Sequence, residues 1–517
     1  MELPSQPLLL DLPGQPPQNK PAAPRGEIKL KTVDRRQTVL AMINVEELIA
    51  ADHKARAIWE LTGRMNLGRF TEPLRSTRGS AGRPAWDPRL LVSVWVYAYS
   101  EGIGSAREIE RLMQWDPALL WLAGTERVNH HTLSDFRVEH KAALDELFAE
   151  LLALLENEGL VNLQQVMHDG TKIRTQAGGD SFRREKTLRE RLEQAREAVA
   201  QLGDPQAERV GRGRKQAAQQ RVAKERLQRM EAAFEEMQTQ QAAQQKDEKK
   251  AEVRVSLTEP DARVMKHGDN ALAPSYNAQI STDAKERIIV GAQLSQCSSD
   301  AHGLLPALEE IAGNLGRKPA QVVVDGGFTN RDTIVECAAQ QIELVGSLAK
   351  AEERSAAAMK SQGIDPAFAP HHFRILGDSK SALCPAGCSL RYVRQSRKRG
   401  DRYQQYQARG EDCQSCHHQR QCCPKKAAQG RTISIRVEER AEMAAFRKKM
   451  ELPENRAIYR RRGEVAEFPN AWIKQKLGLR KFGVRGLAKA GSELLWACLT
   501  YNIMQWMRLV WRKPQVA

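Results

Sequence analysis

Two aspartates stand where apolar runs give way to polar residues. Asp169 follows Val166-Met-His and precedes Gly170-Thr-Lys-Ile173; Asp325 closes Gln321-Val-Val-Val and precedes Gly326-Gly327-Phe328. On neighbouring strands both carboxylates emerge at one sheet edge. Two hard anionic groups held a few ångströms apart suit Mg²⁺ or Mn²⁺, which prefer oxygen ligands and retain water. A third carboxylate is expected from a helix beyond the last strand, where Glu454, Glu464 and Glu467 are all near, and spacing does not choose among them. A single Asp-Gly pair usually marks a turn; two such pairs at matching strand ends are more specific. His168 reads as a packing residue.

A second chemistry lies in the cysteines, six of which crowd between 384 and 423 as Cys384-Pro-Ala-Gly-Cys388, Cys413-Gln-Ser-Cys416 and Cys422-Cys423. A C-x-x-C turn presents two sulfurs to one ion, and four thiolates suit tetrahedral Zn²⁺. The alternative is a reduced cluster that packs without metal. Between the cysteine groups lie Arg391, Tyr392, Arg394, Arg397, Lys398, Arg399, Arg402, Tyr403 and Tyr406. Basic side chains interleaved with aromatics can follow a phosphate backbone and stack on bases; a solvated loop is the bland counterpart.

The elements that must position these groups follow from periodicity. Residues 1–33, rich in Pro, Gln and Lys, read as a disordered tail. Residues 34–160 are helical, with Leu90, Leu91, Val94, Trp95 and Ala98 at helical spacing and a break at Gly102 and Gly104. A helix opening near His131 is expected to be capped by Thr132 or Ser134. Such short helices suit helix-turn-helix DNA binding or a plain bundle equally. Residues 161–350 then alternate in the order strand, strand, strand, helix, strand, helix, strand, that of a ribonuclease-H-like α/β domain, with the apolar run before Asp325 as a strand buried on both faces. A helical hairpin over 183–250 interrupts them, its seam running through Leu188, Leu192, Ala195, Val199 and Leu202 and through Ala223, Leu227, Met230, Phe234 and Met237. The Cys-rich basic insert covers 351–435, and a helical part of the catalytic domain covers 436–517. With 80 Lys+Arg against 64 Asp+Glu, the chain carries +16, which favours a polyanionic partner. Leu8–Leu10 lies between prolines without a basic lead, so no signal peptide is read there. Leu494–Met507 falls short of the roughly 20 residues that span a bilayer. A cytoplasmic protein is expected.

Motifs in consistent order carry a family resemblance. They are Asp52-His-Lys-Ala-Arg56, Ser105-Ala-Arg107-Glu-Ile-Glu110-Arg111, His131-Thr-Leu-Ser-Asp-Phe-Arg137, His168-Asp169-Gly-Thr-Lys172-Ile173, Pro260-Asp-Ala-Arg263, Tyr276-Asn277-Ala-Gln279, Val324-Asp325-Gly-Gly-Phe328, and Tyr459-Arg-Arg-Arg462 followed by Glu467 and Ile473-Lys474. From Asp34 to Glu493 the chain resembles bacterial insertion-sequence DDE transposases, of the branch with a helical N-terminal domain and a cysteine-bearing insert. Two departures stand out. The family often reads Val-Glu-Pro where this chain has Ala466-Glu467-Phe468-Pro469, and Ala-Gly-Tyr where it has Gly326-Gly327-Phe328.

The resemblance implies Asp169, Asp325 and Glu467 as the catalytic, metal-binding triad. It implies two Mg²⁺ (or Mn²⁺) ions bridged by Asp169, hydrolysis at element ends, and attack of a DNA 3′-hydroxyl on target DNA. Arg462 and Lys474 would hold phosphate, since Arg stays charged at any relevant pH; solvated basic residues on an exposed helix are the rival reading. Lys172 and Arg137, inside matching motifs, join Arg397 and Arg399 as candidate DNA contacts. The family pattern favours Cys384, Cys413, Cys416 and Cys422 for one structural Zn²⁺. Double-stranded DNA, in the form of terminal inverted repeats and a target, is the expected partner, with a homodimer on DNA. The alternative is an inactive or domesticated relative acting as a DNA-binding protein or nuclease.

Overall fold

In the computed structural model, which describes residues 42–72, 84–202, 214–244, 252–348, 357–377, 380–398 and 401–511, the strands read from the sequence join in one mixed sheet. They are β1 (Gln165–Arg174), β2 (Leu272–Asp283), β3 (Ile289–Ser295), β4 (Gln321–Val324) and β5 (Glu343–Val345). β2 pairs antiparallel with β1 on one edge and with β3 on the other. β1 runs parallel to β4, and β4 parallel to β5. A short strand, Arg263–Lys266, shares the outer edge of β2 with β3.

The unbroken valines of β4 are explained by cover on both faces. Val322 and Val324 pack with Leu304, Leu308 and Ile334 of the helices Leu304–Leu315 and Arg331–Ala339. Val323, pointing the other way, packs with Met167, Val465 and Ala466. The fold is therefore mixed α/β, with a helical N-terminal region.

That region comprises Lys54–Gly63, Pro88–Ser100, Ala106–Leu112, Pro117–Ala123, His130–Glu139 and Lys141–Asn157. Asp87, Ser105 and Asp116 accept from the first free backbone N–H groups of their helices. Neither Thr132 nor Ser134 caps its helix. The helix begins one residue before His131, and Asn129 accepts from the His131 N–H instead. The core of these helices is completed from the far end of the chain. The terminal helix, Leu487–Leu509, packs on Pro88–Ser100, on Lys141–Asn157 and on β3. Trp95 and Trp496 are both fully buried there, each indole N–H donating to a backbone carbonyl, Leu133 and Arg137 respectively. Truncating either ring to alanine would cost about 3–5 kcal/mol. Among the described residues no helix is long and apolar enough to cross a membrane.

Two further structures interrupt the α/β order. Helices Glu185–Leu202 and Arg214–Gln244 lie against each other through Leu188, Leu192 and Ala195 on one side and Met230, Ala233 and Met237 on the other, closed by Val255 and Leu257. Part of their apolar seam is thus covered within the chain, while Leu227 and Phe234 are only partly buried. The Cys-rich interval carries a five-stranded antiparallel sheet in the order Thr432–Glu438, Asp401–Ala408, Ser389–Lys398, Ser381–Leu383, Arg374–Ile375. Phe373, Ala382, Leu390 and Tyr406 form its small core, with Cys384, Cys413 and Cys422 packed against it. The tail expected over 1–33 and the candidate contact Arg399 lie outside the described residues.

Candidate active site

β1 does not end at Asp169, as its sequence suggests. It runs on to Arg174, paired with β2 throughout, so Asp169 is a mid-strand residue. The strand that stops is β4. The last β1–β4 pair joins His168 to Val324, so Asp325 follows beside Asp169 on the parallel neighbour. Gly170 is likewise no turn residue. A Cβ there would fall 2.6 Å from Asp300 Oδ1 and 2.7 Å from Gln279 Nε2, so glycine is needed for space rather than for conformation. Asp325 is fixed by the Gly327 N–H, which donates to its Oδ1.

The candidate third carboxylate, Glu467, lies on an irregular helix. Pro453–Arg460 leads into a widened π turn, Gly463–Glu467, and then into Phe468–Gln475. Pro469 has no N–H to give the Val465 carbonyl, and the extra residue in the turn absorbs that loss. Val465 and Ala466 anchor the turn on Met167 and Val323 of the sheet. Glu467 projects from it, its side chain 60% exposed. Glu467 is linked to Asp169 through Arg462. The Arg462 guanidinium lies 3.8 Å from Asp169 Oδ1 and 3.2 Å from Glu467 Oε1.

Other polar groups complete the cluster. Asn470 Nδ2 donates to Asp169 Oδ2 at 3.1 Å, while its own buried Oδ1 has no hydrogen-bond partner. Lys474 Nζ donates to Thr171 Oγ1 at 2.5 Å. Burial pushes the Asp169 carboxyl up to about 6, against the pull of Arg462 and with the added repulsion of Asp325 and Asp300. Burial also lowers the Lys474 ammonium, which the Asp169 charge partly restores. His168 is enclosed between Ser281 Oγ and Gln279 Oε1, each at 2.9 Å, edge-on to Phe328; burial holds its imidazole down at about 4. It is a packing residue.

Among the described residues no three His, Cys, Asp or Glu side chains are grouped to hold one metal ion. The donor set nonetheless suits a hard cation. Asp169, Asp325 and Glu467 offer carboxylate oxygens, the Asn470 amide offers an unpartnered one, and a guanidinium stands as the cation between Asp169 and Glu467.

The remaining candidates divide. Arg397 is exposed on the strand Ser389–Lys398, and Lys172 Nζ donates to the Lys266 carbonyl at 3.0 Å beside the site. Arg137 must be corrected. Only 6% exposed, it donates to the Gly104 carbonyl, stacks on Trp95 and pairs with the equally buried Glu493, so its charge is spent inside the protein. Cys384, Cys413, Cys416 and Cys422 line a cavity of about 30 Å³, together with Cys388 and Cys423. Backbone N–H groups of Cys388 and Arg431 donate to the sulfurs of Cys384 and Cys413 at 3.2 and 3.3 Å. Sequence reasoning missed Asn470 and Asp300. Asn470, three residues past Glu467, shares its helical face, which is the one signal that could have found it.

Comparison with known families bears on both ends of this arrangement. Residues 43–139 match the family model described as Transposase domain (DUF772), and residues 383–507 match the one described as Transposase DDE domain. The second match includes Glu467 and Lys474 but neither Asp169 nor Asp325. No curated protein matches the chain. A transposase model matched at the helical N-terminal region and a second over the segment that carries Glu467 together support an insertion-sequence DDE transposase.

Proposed function

We propose that this transposase cuts DNA at the ends of an insertion element and joins the freed 3′-hydroxyls to target DNA, in the cytoplasm, with Asp169, Asp325 and Glu467 as its metal-binding triad. The reading rests on one observation above all: Asp169 in β1 stands beside Asp325, which directly follows the parallel strand β4, with Arg462 linking Asp169 to Glu467. The strand order, β3-β2-β1-β4-β5 with β2 antiparallel to β1, supports a ribonuclease-H-like catalytic domain. That domain would span 161–350 and 436–517, with 34–160 as the DNA-binding region and 351–435 as an insert.

Two Mg²⁺ or Mn²⁺ ions, when bound, would supply charge stabilisation at the reacting phosphate and a more acidic attacking hydroxyl. Asp169, Asp325 and Glu467 would hold them. Asn470 fixes one Asp169 oxygen by donating to it. Arg462, freed from the carboxylates, is placed to neutralise a phosphate, and Lys474 is held near it through Thr171. In the first reaction water adds to phosphorus and the P–O3′ bond breaks, giving a 3′-hydroxyl. In the second that hydroxyl adds to a target phosphorus and the target P–O3′ bond breaks.

Arg397 and Arg399 would follow the DNA backbone. The Cys384, Cys413, Cys416 and Cys422 thiolates would take one structural Zn²⁺, a reading supported by the shared cavity and by N–H donors aimed at two sulfurs. The working unit would be a homodimer on DNA, one copy for each element end.

The test is cleavage and strand transfer on DNA carrying the element's end. Alanine at Asp169, Asp325 or Glu467 should abolish Mg²⁺-dependent cutting and leave DNA binding near wild type. Cutting retained by any one variant removes that residue from the triad. Cutting without joining by the wild type would replace the transposition reading with that of a nuclease.

A further inference from the structure

Asp300 belongs to neither the triad nor any motif read from the sequence, yet it lies against both aspartate-glycine junctions. Its Oδ1 is 2.6 Å from the place a Cβ on Gly170 would take, and its Cβ is 3.6 Å from the corresponding place on Gly327, whose nearest neighbour is Asp325 Oδ1. The glycine after Asp169 thus makes room for the Asp300 carboxylate, while a Cβ on the second residue after Asp325 would be in ordinary contact with Asp300. Asp300 is held there by Asn277 Nδ2 at 2.7 Å and Gln279 Nε2 at 3.3 Å, side chains two residues apart on β2 and therefore on one face. Through β1–β2 pairing this is the face of Gly170, opposite the one on which Asn470 and Arg462 meet Asp169.

A negative charge so close to Asp169 and Asp325 is unfavourable on its own, and its field adds to what keeps the Asp169 proton on. Asn277 adds a second anomaly. It is 1% exposed, and its Oδ1, 3.1 Å from the Gly170 Cβ position, has no hydrogen-bond partner. Leaving a buried acceptor unmatched is unfavourable. A carboxylate oxygen and an unmatched amide oxygen, 2.6 and 3.1 Å from the Gly170 Cβ position, call for a donor or a cation that arrives with the ligand. Hydrated Mg²⁺ or Mn²⁺ brings both, because such ions keep part of their water shell.

We infer that Asp300 and Asn277 position the water shell of the cation held by Asp169 and Asp325, closing the site from the face opposite Glu467. This rests on the reading of Asp169 and Asp325 as cation ligands. It makes Asp300 a positioning residue whose oxygens accept from metal-bound water.

The experiment measures Mn²⁺ binding to the full-length protein by calorimetry, and melting temperature in chelator and across a Mn²⁺ series, for wild type, Asp300→Asn and Asp169→Asn. Removing a group that orients a metal's immediate ligands costs about 10–100-fold in affinity. Asp300→Asn should therefore need at least about tenfold more Mn²⁺ for the same stabilisation. In chelator it should melt no lower than wild type, because it removes a repulsive charge. Wild-type Mn²⁺ dependence in Asp300→Asn, or a lower melting point in chelator with unchanged metal response, would overturn the inference in favour of a purely structural role. If Asp169→Asn also keeps wild-type Mn²⁺ binding, the cation site itself is misassigned. If Asp169→Asn loses binding while Asp300→Asn keeps it, only the role of Asp300 falls. Should Asp300→Asn fail to fold, Asn277→Ser, which leaves Asp300 and removes the unmatched oxygen, carries the same expectation of weakened Mn²⁺ dependence, and unchanged dependence overturns it.

Discussion

Replacing Asp169 with Asn should make the metal-free protein more stable while removing its chemistry. Burial raises the Asp169 carboxyl from 3.8 to about 6, so the folded state holds a proton that the unfolded chain releases earlier. The sign follows from proton counts. Below pH 4 the group is protonated in both states and contributes nothing. Between pH 4 and 6 the folded state binds more protons, so stability falls as pH rises. Above pH 6 both forms are ionised and the full penalty remains. A shift of about two units at 1.36 kcal/mol each makes that penalty about 3 kcal/mol. Asn is nearly isosteric and keeps an oxygen for the Asn470 Nδ2 donor. Urea unfolding of wild type and Asp169→Asn in chelator, from pH 4 to 8, would show equal stability at the acid end. The variant should gain up to about 3 kcal/mol by pH 7. Excess Mn²⁺ should reverse the order, because only the wild type gains binding energy. A variant less stable than wild type at pH 7.5 in chelator would refute the view of Asp169 as a buried charge waiting for a cation.

Arg137→Met should destabilise the protein by about 3–5 kcal/mol in urea unfolding, because it strands the buried Glu493; a loss no larger than the ~1 kcal/mol of a surface pair would show that the two charges are not coupled. Protein purified without chelator should carry about one zinc per chain by elemental analysis, lost at acidic pH as the thiolates protonate. Absence of zinc would refute the metal reading, and Cys413→Ser with Cys416→Ser should loosen the insert to proteolysis before it affects catalysis. Light scattering with DNA bearing the element's end should report two protein copies per complex, and one copy cutting and joining both ends would rule out the dimer. Deleting the hairpin 183–250 should leave that complex intact, since Leu188, Leu192, Ala195, Met230, Ala233 and Met237 of its seam pack against each other within the chain.

The sheet was legible because its signals are local. β4 announces itself as three consecutive valines, and the aspartate that follows is where the apolar requirement ends. Asp169 misleads by the same logic, because a mid-strand Asp-Gly whose glycine is crowded by Asp300 and Gln279 is spelled like a turn. Arg137 misleads more deeply. Nothing around it in sequence reveals a carboxylate 356 residues away, and a buried arginine is written in the same letters as one awaiting phosphate. The choice of Glu467 came from resemblance rather than spacing, since a π turn shifts the face that a regular helix would present. Asp300 carried no signal at all; its meaning depends on which two glycines fold against it.

The terminal helix imposes an order on synthesis. The N-terminal helices end at Asn157, yet Leu494, Trp496, Leu499 and Ile503 lie in the core they share, and Leu487–Leu509 is made about 330 residues later. At 5–20 residues per second a ribosome needs roughly 20 to 60 s to cover that distance. For that interval the helical region must wait with Trp95 and its neighbours uncovered, and a copy interrupted anywhere before residue 487 never closes. A chain truncated before residue 487 therefore leaves the helical region with part of its core missing, an open and aggregation-prone fragment.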